Sequence, residues 1–343
     1  MSMPETAGSG ANGLCYATFS LAATETMRAP CNNSARRSFK NRNHARMEPN
    51  FSIIIPHHET PRLLSRLLAS VPWSLQPEVI VVDDASGAEA LAEVEKLHDE
   101  FDFHLYCIDR HTAGAARNEG LRHACGRWLI FADADDYFTA DAARLWQKHV
   151  NDTADVVFFD VTSAYSDSGR RAYRDRQVKR LIRRCEREKT LWPLCAMHTN
   201  PWGKMIRRAL VVGRRIWFEE IASANDAMFS VQVGVEAARV LLDEGEMYCV
   251  TVSDGSLTSN LSRDRFESNG EARLRVNAYL RDAGLGRYQL SVLNYLLGAW
   301  RYGIGYGWRV LRRCMANGNR PWVGFWHVFN PVNFYHSLKS APK

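Results

Sequence analysis

The sequence predicts an α/β protein in which a mostly parallel sheet is flanked by helices and followed by a helical extension. Three observations predict it. Short apolar runs rich in β-branched residues recur through the first half of the chain, as strands buried on both faces do. Between them, apolar residues repeat at helical spacing, the pattern of right-handed βαβ crossovers. Several runs end abruptly in carboxylates, which a parallel sheet presents at the carboxyl ends of its strands, where ligands bind. With 343 residues, of which 46% are hydrophobic and 24% charged, the chain can bury one large core and carry a smaller appended unit.

Taken in order, residues 1–48 are rich in Ala, Ser, Asn, Arg and Thr without a sustained apolar period, so disorder is expected. They lack the basic start and clean apolar run of a secretory signal. Met47 stands just before the first strand, and translation is expected to begin there; a native peptide from upstream of it would refute this. Residues 49–262 are expected to form the sheet domain. FSIII, from Phe51 to Ile55, is the first strand, stopped by Pro56. His57, His58 and Glu59 form the following loop. Thr60 and Pro61 then start a helix with Leu63, Leu64, Leu67, Leu68 and Val71 on one face. VIVV, Val79 to Val82, is the second strand and delivers Asp83, Asp84 and Ser86 to the same edge; Glu89 to Asp99 is its return helix. Phe103 to Ile108 is a third strand, after which a glycine turn leads into a helix carrying Arg117 and Asn118 and ending at Gly126.

The fourth strand, WLIFADADDY, is the stretch around which the chain is organised. Apolar residues run directly into Asp133, Asp135 and Asp136. Carboxylates this close repel one another unless something positive lies between them, and their hard oxygens suit Mg²⁺ or Mn²⁺. A polar loop with helix-capping aspartates is the simpler alternative. A helix over Thr139 to Val150 and a strand over Asp155 to Val161 follow. The basic run from Gly169 to Lys189 reads as a solvated helix face or as a surface for an anionic acceptor. After PWGKMIRR, an apolar helix begins immediately behind Asn225 and Asp226, where an acid is electrostatically comfortable and capping alone would account for Asp226. Val240 to Asp243 and Met247 to Val252 read as two short strands.

Residues 263–343 form the helical extension. No acidic residue follows Asp282, whereas Arg287, Arg301, Arg309, Arg312, Arg313, Arg320, Lys339 and Lys343 do, interleaved with tryptophans and tyrosines. Within a formal charge of +6, this concentration points to lipid headgroups or nucleic acid, or else the aromatics pack on the main domain. The eight cysteines are scattered, with no zinc spacing, and imply a reduced, cytosolic setting. No run of eighteen uncharged apolar residues marks a transmembrane helix.

These motifs, in this order, resemble the inverting family 2 glycosyltransferases of the GT-A fold, a Rossmann-like nucleotide-sugar architecture. The resemblance covers roughly Phe51 to Ser259. FSIIIPHHE is similar to the family's first strand and nucleotide loop, VIVVDDAS to its second strand and base-binding acid, and AGAARNEGLRHACGRWLIFADADDYF to its helix, strand and DxD motif; PWGKMIRR and the later Asn-Asp are similar to the segment leading to its catalytic acid. The resemblance implies a nucleotide diphosphate sugar donor, with a UDP-sugar preferred, and a metal-dependent transfer to a glycan or lipid-linked acceptor in cell-surface polysaccharide biosynthesis. It implies that Pro56, His58, Glu59, Asp83, Asp84, Arg117, Asn118, Asp133, Ala134 and Trp202 contact donor or acceptor, with His58 stacking on the base and Asp84 accepting from its ring NH. Asp133 and Asp135 would hold Mn²⁺ or Mg²⁺. Asp226 would be the catalytic base, with Glu219 or Glu220 behind it. No QxxRW-like signature follows, so single addition is expected, not processive synthesis. The expected setting is cytoplasmic, at the cytosolic face of the plasma membrane, with no nucleic acid partner.

Other classes fit less well. A dinucleotide-dependent oxidoreductase would need a GxGxxG where PHHETP stands. A sugar nucleotidyltransferase would need a glycine-rich, arginine-containing first loop. A non-catalytic membrane- or nucleic-acid-binding module using the basic aromatic tail is the remaining alternative.

Overall fold

The computed structural model describes residues 49–252 and 262–323. The expected disordered segment 1–48, most of the connection ending at Ser262, and the end of the extension, including Phe325, Trp326, Lys339 and Lys343, lie outside the described residues. The chain runs β1 (Phe51–His57), α1 (Pro61–Ser70), β2 (Glu78–Asp84), α2 (Ala88–Lys96), β3 (His104–Ile108), α3 (Ala113–His123) and β4 (Trp128–Phe131). It continues with β5 (Tyr137–Phe138), α4 (Ala142–His149), β6 (Val156–Tyr165), α5 (Arg176–Glu188), α6 (Trp192–Met197), β7 (Lys204–Arg207), α7 (Arg208–Arg214), α8 (Ala227–Glu236) and β8 (Val240–Val252). Three helices follow: α9 (Arg263–Asp282), α10 (Leu293–Ala299) and α11 (Ile304–Ala316).

One sheet, ordered β3-β2-β1-β4-β7-β6-β8-β5, organises the domain. β3, β2, β1 and β4 are parallel neighbours, and β6 pairs with β8 in the same sense. Only β7 and β5 run against the others. The apolar runs are buried as their composition requires: Ile53, Ile54, Ile55, Val81 and Val82 have no exposed surface. Helix α3 lies so close to β1 that a Cβ at Gly120 would come within 2.5 Å of the Ile54 side chain.

Two local readings need correction, and one segment left without an element is a strand. β1 does not stop at Pro56 but runs on to His57, pairing Pro56 with Val82 and His57 with Asp83. The Ile54 carbonyl accepts from Ala132 on the β4 side, and Pro56, two residues on, turns the same way beyond the last β1–β4 pair. Its missing N–H therefore breaks no ladder bond. KMIR, which carries a buried lysine, is a strand (β7), antiparallel to both β4 and β6. The two expected strands around residue 245 are one: β8 pairs Phe159 with Asp243 and Asp160 with Glu246, so Glu244 and Gly245 form a bulge.

The described part of the extension packs on the domain. Val276 and Leu280 of α9, with Tyr288 and Leu290, share a cluster with Ala196, Ala227 and Val231. Leu274, Val292, Tyr295, Leu296, Ala299, Val310 and Cys314 form a further cluster among α9, α10 and α11. The basic run from Gly169 resolves into α5, which buries Val178, Leu181, Ile182 and Cys185 and leaves Arg176, Arg180, Arg183 and Arg187 exposed. No helix among the described residues is long and apolar enough to cross a membrane.

Candidate active site

The turn behind β4 gathers carboxylates. Asp133, Asp135 and Asp136 each offer an oxygen, and the three oxygens lie within 4.8 Å of one another. The turn is tightly braced. The Asp136 N–H donates to the Asp133 carbonyl at 3.0 Å, and the Asp133 N–H donates to the Tyr248 hydroxyl at 2.8 Å. β8 holds it from below, since the Thr251 N–H donates to Asp136 Oδ1 and its hydroxyl to the Asp135 carbonyl, both at 2.6 Å. Arg66 of α1 also donates to the Asp135 carbonyl.

Electrostatically the cluster is under stress. Burial, then the nearby Asp133, pushes the Asp135 carboxyl above its ordinary value, with Arg174 and Arg66 opposing. Asp136 is pushed well up by burial and by both other acids. Three carboxylates whose hard oxygens converge on one volume, two of them hindered in ionising by burial and by their neighbours, fit a divalent cation of the Mg²⁺ or Mn²⁺ type. Asp136, which the sequence placed at the same edge, converges with the two acids that the resemblance named as metal ligands.

Arg117 links this cluster to the far side of the site. One guanidinium nitrogen donates to Asp133 Oδ1 at 2.6 Å and the other to Asn225 Oδ1 at 2.9 Å, while Nε is buried without a partner. Asp226, next in the chain, stands at the N-cap of α8 without a side-chain capping bond. Burial raises its pKa most strongly; Arg117 pulls it down and Asp133 pushes it up. Glu219 is tied to Arg275 at 2.6 Å and Glu220 to Arg110 at 2.8 Å.

The nucleotide loop is assembled by an inward network. His57, not His58, is buried, and its Nδ1 lies 2.7 Å from Asp83. Asp83 also accepts from the Ser86 N–H at 3.0 Å and hydroxyl at 2.6 Å. Asp84 accepts from the backbone N–H groups of Arg110, His111 and Thr112 at 2.7, 2.9 and 2.6 Å. Both acids, expected to meet the base, also brace the loop that leads into α3, and each carboxylate keeps acceptor capacity beyond these three bonds. His58 stays exposed, with its Nδ1 2.8 Å from the Asp84 carbonyl. Glu59, at φ +56°, bridges to the Ser86 hydroxyl and the Gly87 N–H. Pro56 is half-buried and Ala134 buried.

Two expected contacts face the interior. Asn118 clamps Phe218, its amide donating to the carbonyl at 3.0 Å and accepting from the N–H at 2.9 Å. Trp202 is 5% exposed and stacks on Tyr248 with ring centroids 6.0 Å apart. An aromatic beside glycine looks like a loop surface in sequence; here the rings of His198 and Tyr248 pack against it. Arg66, Tyr248 and Thr251 escaped the sequence reading because nothing local marks a residue that acts more than sixty positions away.

The clamp at Phe218 brings the Glu219 carbonyl over the start of α3, where a Cβ at Gly114 would stand 2.2 Å from it. Gly114→Ala must push the Glu219–Asn225 segment outward and loosen the Arg117–Asn225 bond. Its expected cost is about 1–3 kcal/mol, the usual range for overpacking, and urea denaturation together with donor turnover checks both effects. Lys204 has no exposed surface and donates to the carbonyls of His198 at 2.9 Å and Asn200 at 2.6 Å. Burial lowers its pKa from 10.5 to about 7, against the pull of Asp226. The unfolded chain keeps that proton up to the ordinary value, so below pH 7 the folded state bears the full cost of the buried charge. As pH rises from 7 to 10, wild type should therefore gain stability relative to Lys204→Met. At about 1.4 kcal/mol per pKa unit, urea midpoints at pH 6.5 and 9.5 should separate the two proteins clearly.

A mostly parallel sheet flanked by helices, with a braced acidic turn behind β4 and a second acid beyond Arg117, has the architecture of the GT-A fold. Residues 52–213 match the family model described as glycosyl transferase family 2. Among curated proteins it is 28% identical over 222 residues to the poly(ribitol-phosphate) beta-N-acetylglucosaminyltransferase TarS of Staphylococcus aureus, an alignment covering 61% of this chain and 37% of that protein. It is 23% identical to the putative glycosyltransferase EpsH of Bacillus subtilis, covering 67% and 68% of the two chains. The chain thus spans little more than a third of TarS. Its fold is similar to the crystal structure of S. aureus TarS 1–349 in complex with UDP-GlcNAc, with TM-score 0.55, 23% identity and coverage of 75% and 74%.

Proposed function

We propose that this chain is a metal-dependent, inverting glycosyltransferase. It moves one sugar from a nucleotide diphosphate sugar, a UDP-sugar by preference, to a glycan or lipid-linked acceptor in cell-surface polysaccharide biosynthesis, at the cytosolic face of the membrane. The observation that carries this reading is the convergence of Asp133, Asp135 and Asp136, with Arg117 joining Asp133 to the residue before Asp226. The TarS relative, whose name specifies N-acetylglucosamine transfer and whose structure holds UDP-GlcNAc, supports the donor class.

Asp133, Asp135 and Asp136 would hold Mn²⁺ or Mg²⁺, which would offset the charge on the departing diphosphate. His58, exposed and anchored at the Asp84 carbonyl, offers a face for the base, with the Arg110–Thr112 loop held beside it by Asp84. Arg117 keeps the donor half and the acceptor half of the site in register. Asp226 takes the proton from the acceptor hydroxyl as it attacks the sugar carbon from the side opposite the diphosphate. Purified protein incubated with Mn²⁺ and a panel of sugar nucleotides should hydrolyse or transfer from one of them, lose this with EDTA, and give a product of inverted anomeric configuration. Turnover unaffected by chelation, or a retained configuration, would refute the respective part.

A further inference from the structure

Helix α11 carries two apolar faces where packing needs one. Gly307, Val310 and Cys314 turn inward, the last two into the cluster shared with α9 and α10. Ile304, Trp308 and Met315, at i, i+4 and i+11, share another side of the helix, bordered by Leu311, which packs against the inner cluster. There Ile304 is 74% exposed, Trp308 52% and Met315 61%. Trp300 meets Trp308 edge to face at 5.7 Å, and Trp322 is 74% exposed. Next to this stripe stand the exposed Arg309 and Arg312, in a tail that has no acidic residue after Asp282.

We infer that this outer face of α11 docks on an anionic lipid surface. Aliphatic and indole side chains enter the boundary between headgroups and acyl chains, while the flanking guanidinium groups meet lipid phosphates. Charge complementarity argues for this occupant. Bare apolar residues such as Ile304 and Met315 gain nothing from a nucleic acid backbone, and a second copy would bring the same arginines against one another. Because the opposite face of α11 packs on α10 and α9, and α9 packs on α8, the docking face is tied to the helix that Asp226 opens. The inference deepens the proposed setting at a membrane but does not rest on the donor chemistry.

The test uses the full chain in vesicle flotation, with phosphatidylcholine alone and with phosphatidylcholine containing phosphatidylglycerol. Binding is expected only to the anionic vesicles, falling with salt, and at least tenfold weaker in Ile304→Glu/Trp308→Glu. Each positive charge near the surface is worth about 1 kcal/mol, so Arg309→Glu/Arg312→Glu should weaken binding at least as much. Both pairs are exposed, and nucleotide-dependent thermal stabilisation should match wild type, which separates loss of docking from loss of fold or donor site. Absent flotation on anionic vesicles, binding that survives the Glu variants, equal binding to single-stranded RNA, or a wild-type dimer that the variants split would each overturn the inference.

Discussion

Asp135→Ala should lower kcat/KM by about 10³-fold or more, roughly 4 kcal/mol of transition-state stabilisation, without unfolding the protein. The fold should survive because the Asp135 backbone carbonyl, not its carboxylate, receives Thr251 and Arg66. Removing a buried carboxyl that burial and Asp133 already disfavour as an anion also relieves repulsion. In the absence of metal the variant should melt at or above the wild-type temperature. The distinguishing measurement is thermal shift with UDP, with and without Mn²⁺. Nucleotide plus cation should stabilise wild type by about 2.7 kcal/mol at a hundredfold excess over Kd, whereas the variant should show little cation-dependent gain. Wild-type turnover in Asp135→Ala would remove the metal assignment.

Asp226→Asn should reduce kcat by about 10²- to 10⁴-fold, the range for a lost general base, with donor KM and nucleotide stabilisation near wild type. Its carboxylate makes no capping bond, so α8 should start in the same place in the variant. Burial raises the Asp226 pKa, and a base with a raised pKa is lost at higher pH as the medium is acidified. At saturating cation, the acid limb of the wild-type profile should lie above the range of an ordinary aspartate, and the residual activity of Asp226→Asn should not follow it. Glu219→Gln is the contrast: a carboxylate already holding Arg275 should cost far less in kcat. If the glutamate variant is the inactive one, the base has been misassigned.

What was legible in the sequence was set by local pattern. Continuous apolar runs, helical periods and acids at strand ends gave the core of the α/β fold, its parallel half and the acidic turn at 133–136. The rest lies where neighbours far along the chain decide. Pro56 reads as a stop, yet its missing N–H points where no partner is needed. KMIR contains a lysine that no isolated strand would bury, and it does so because the His198 and Asn200 carbonyls receive it. Asp83 and Asp84 sit at the expected edge, and folding adds their bonds to His57, Ser86 and the Arg110–Thr112 backbone.

By itself, then, the sequence determined which strands are buried and which carboxylates reach the edge, because burial and periodicity depend on a residue and its near neighbours. Tertiary structure alone decided that Arg117 spans from Asp133 to Asn225, and that Asn118 and Trp202 face inward. Each of those outcomes is a hydrogen bond or ring contact between segments that only folding brings together, and no local preference encodes its partner.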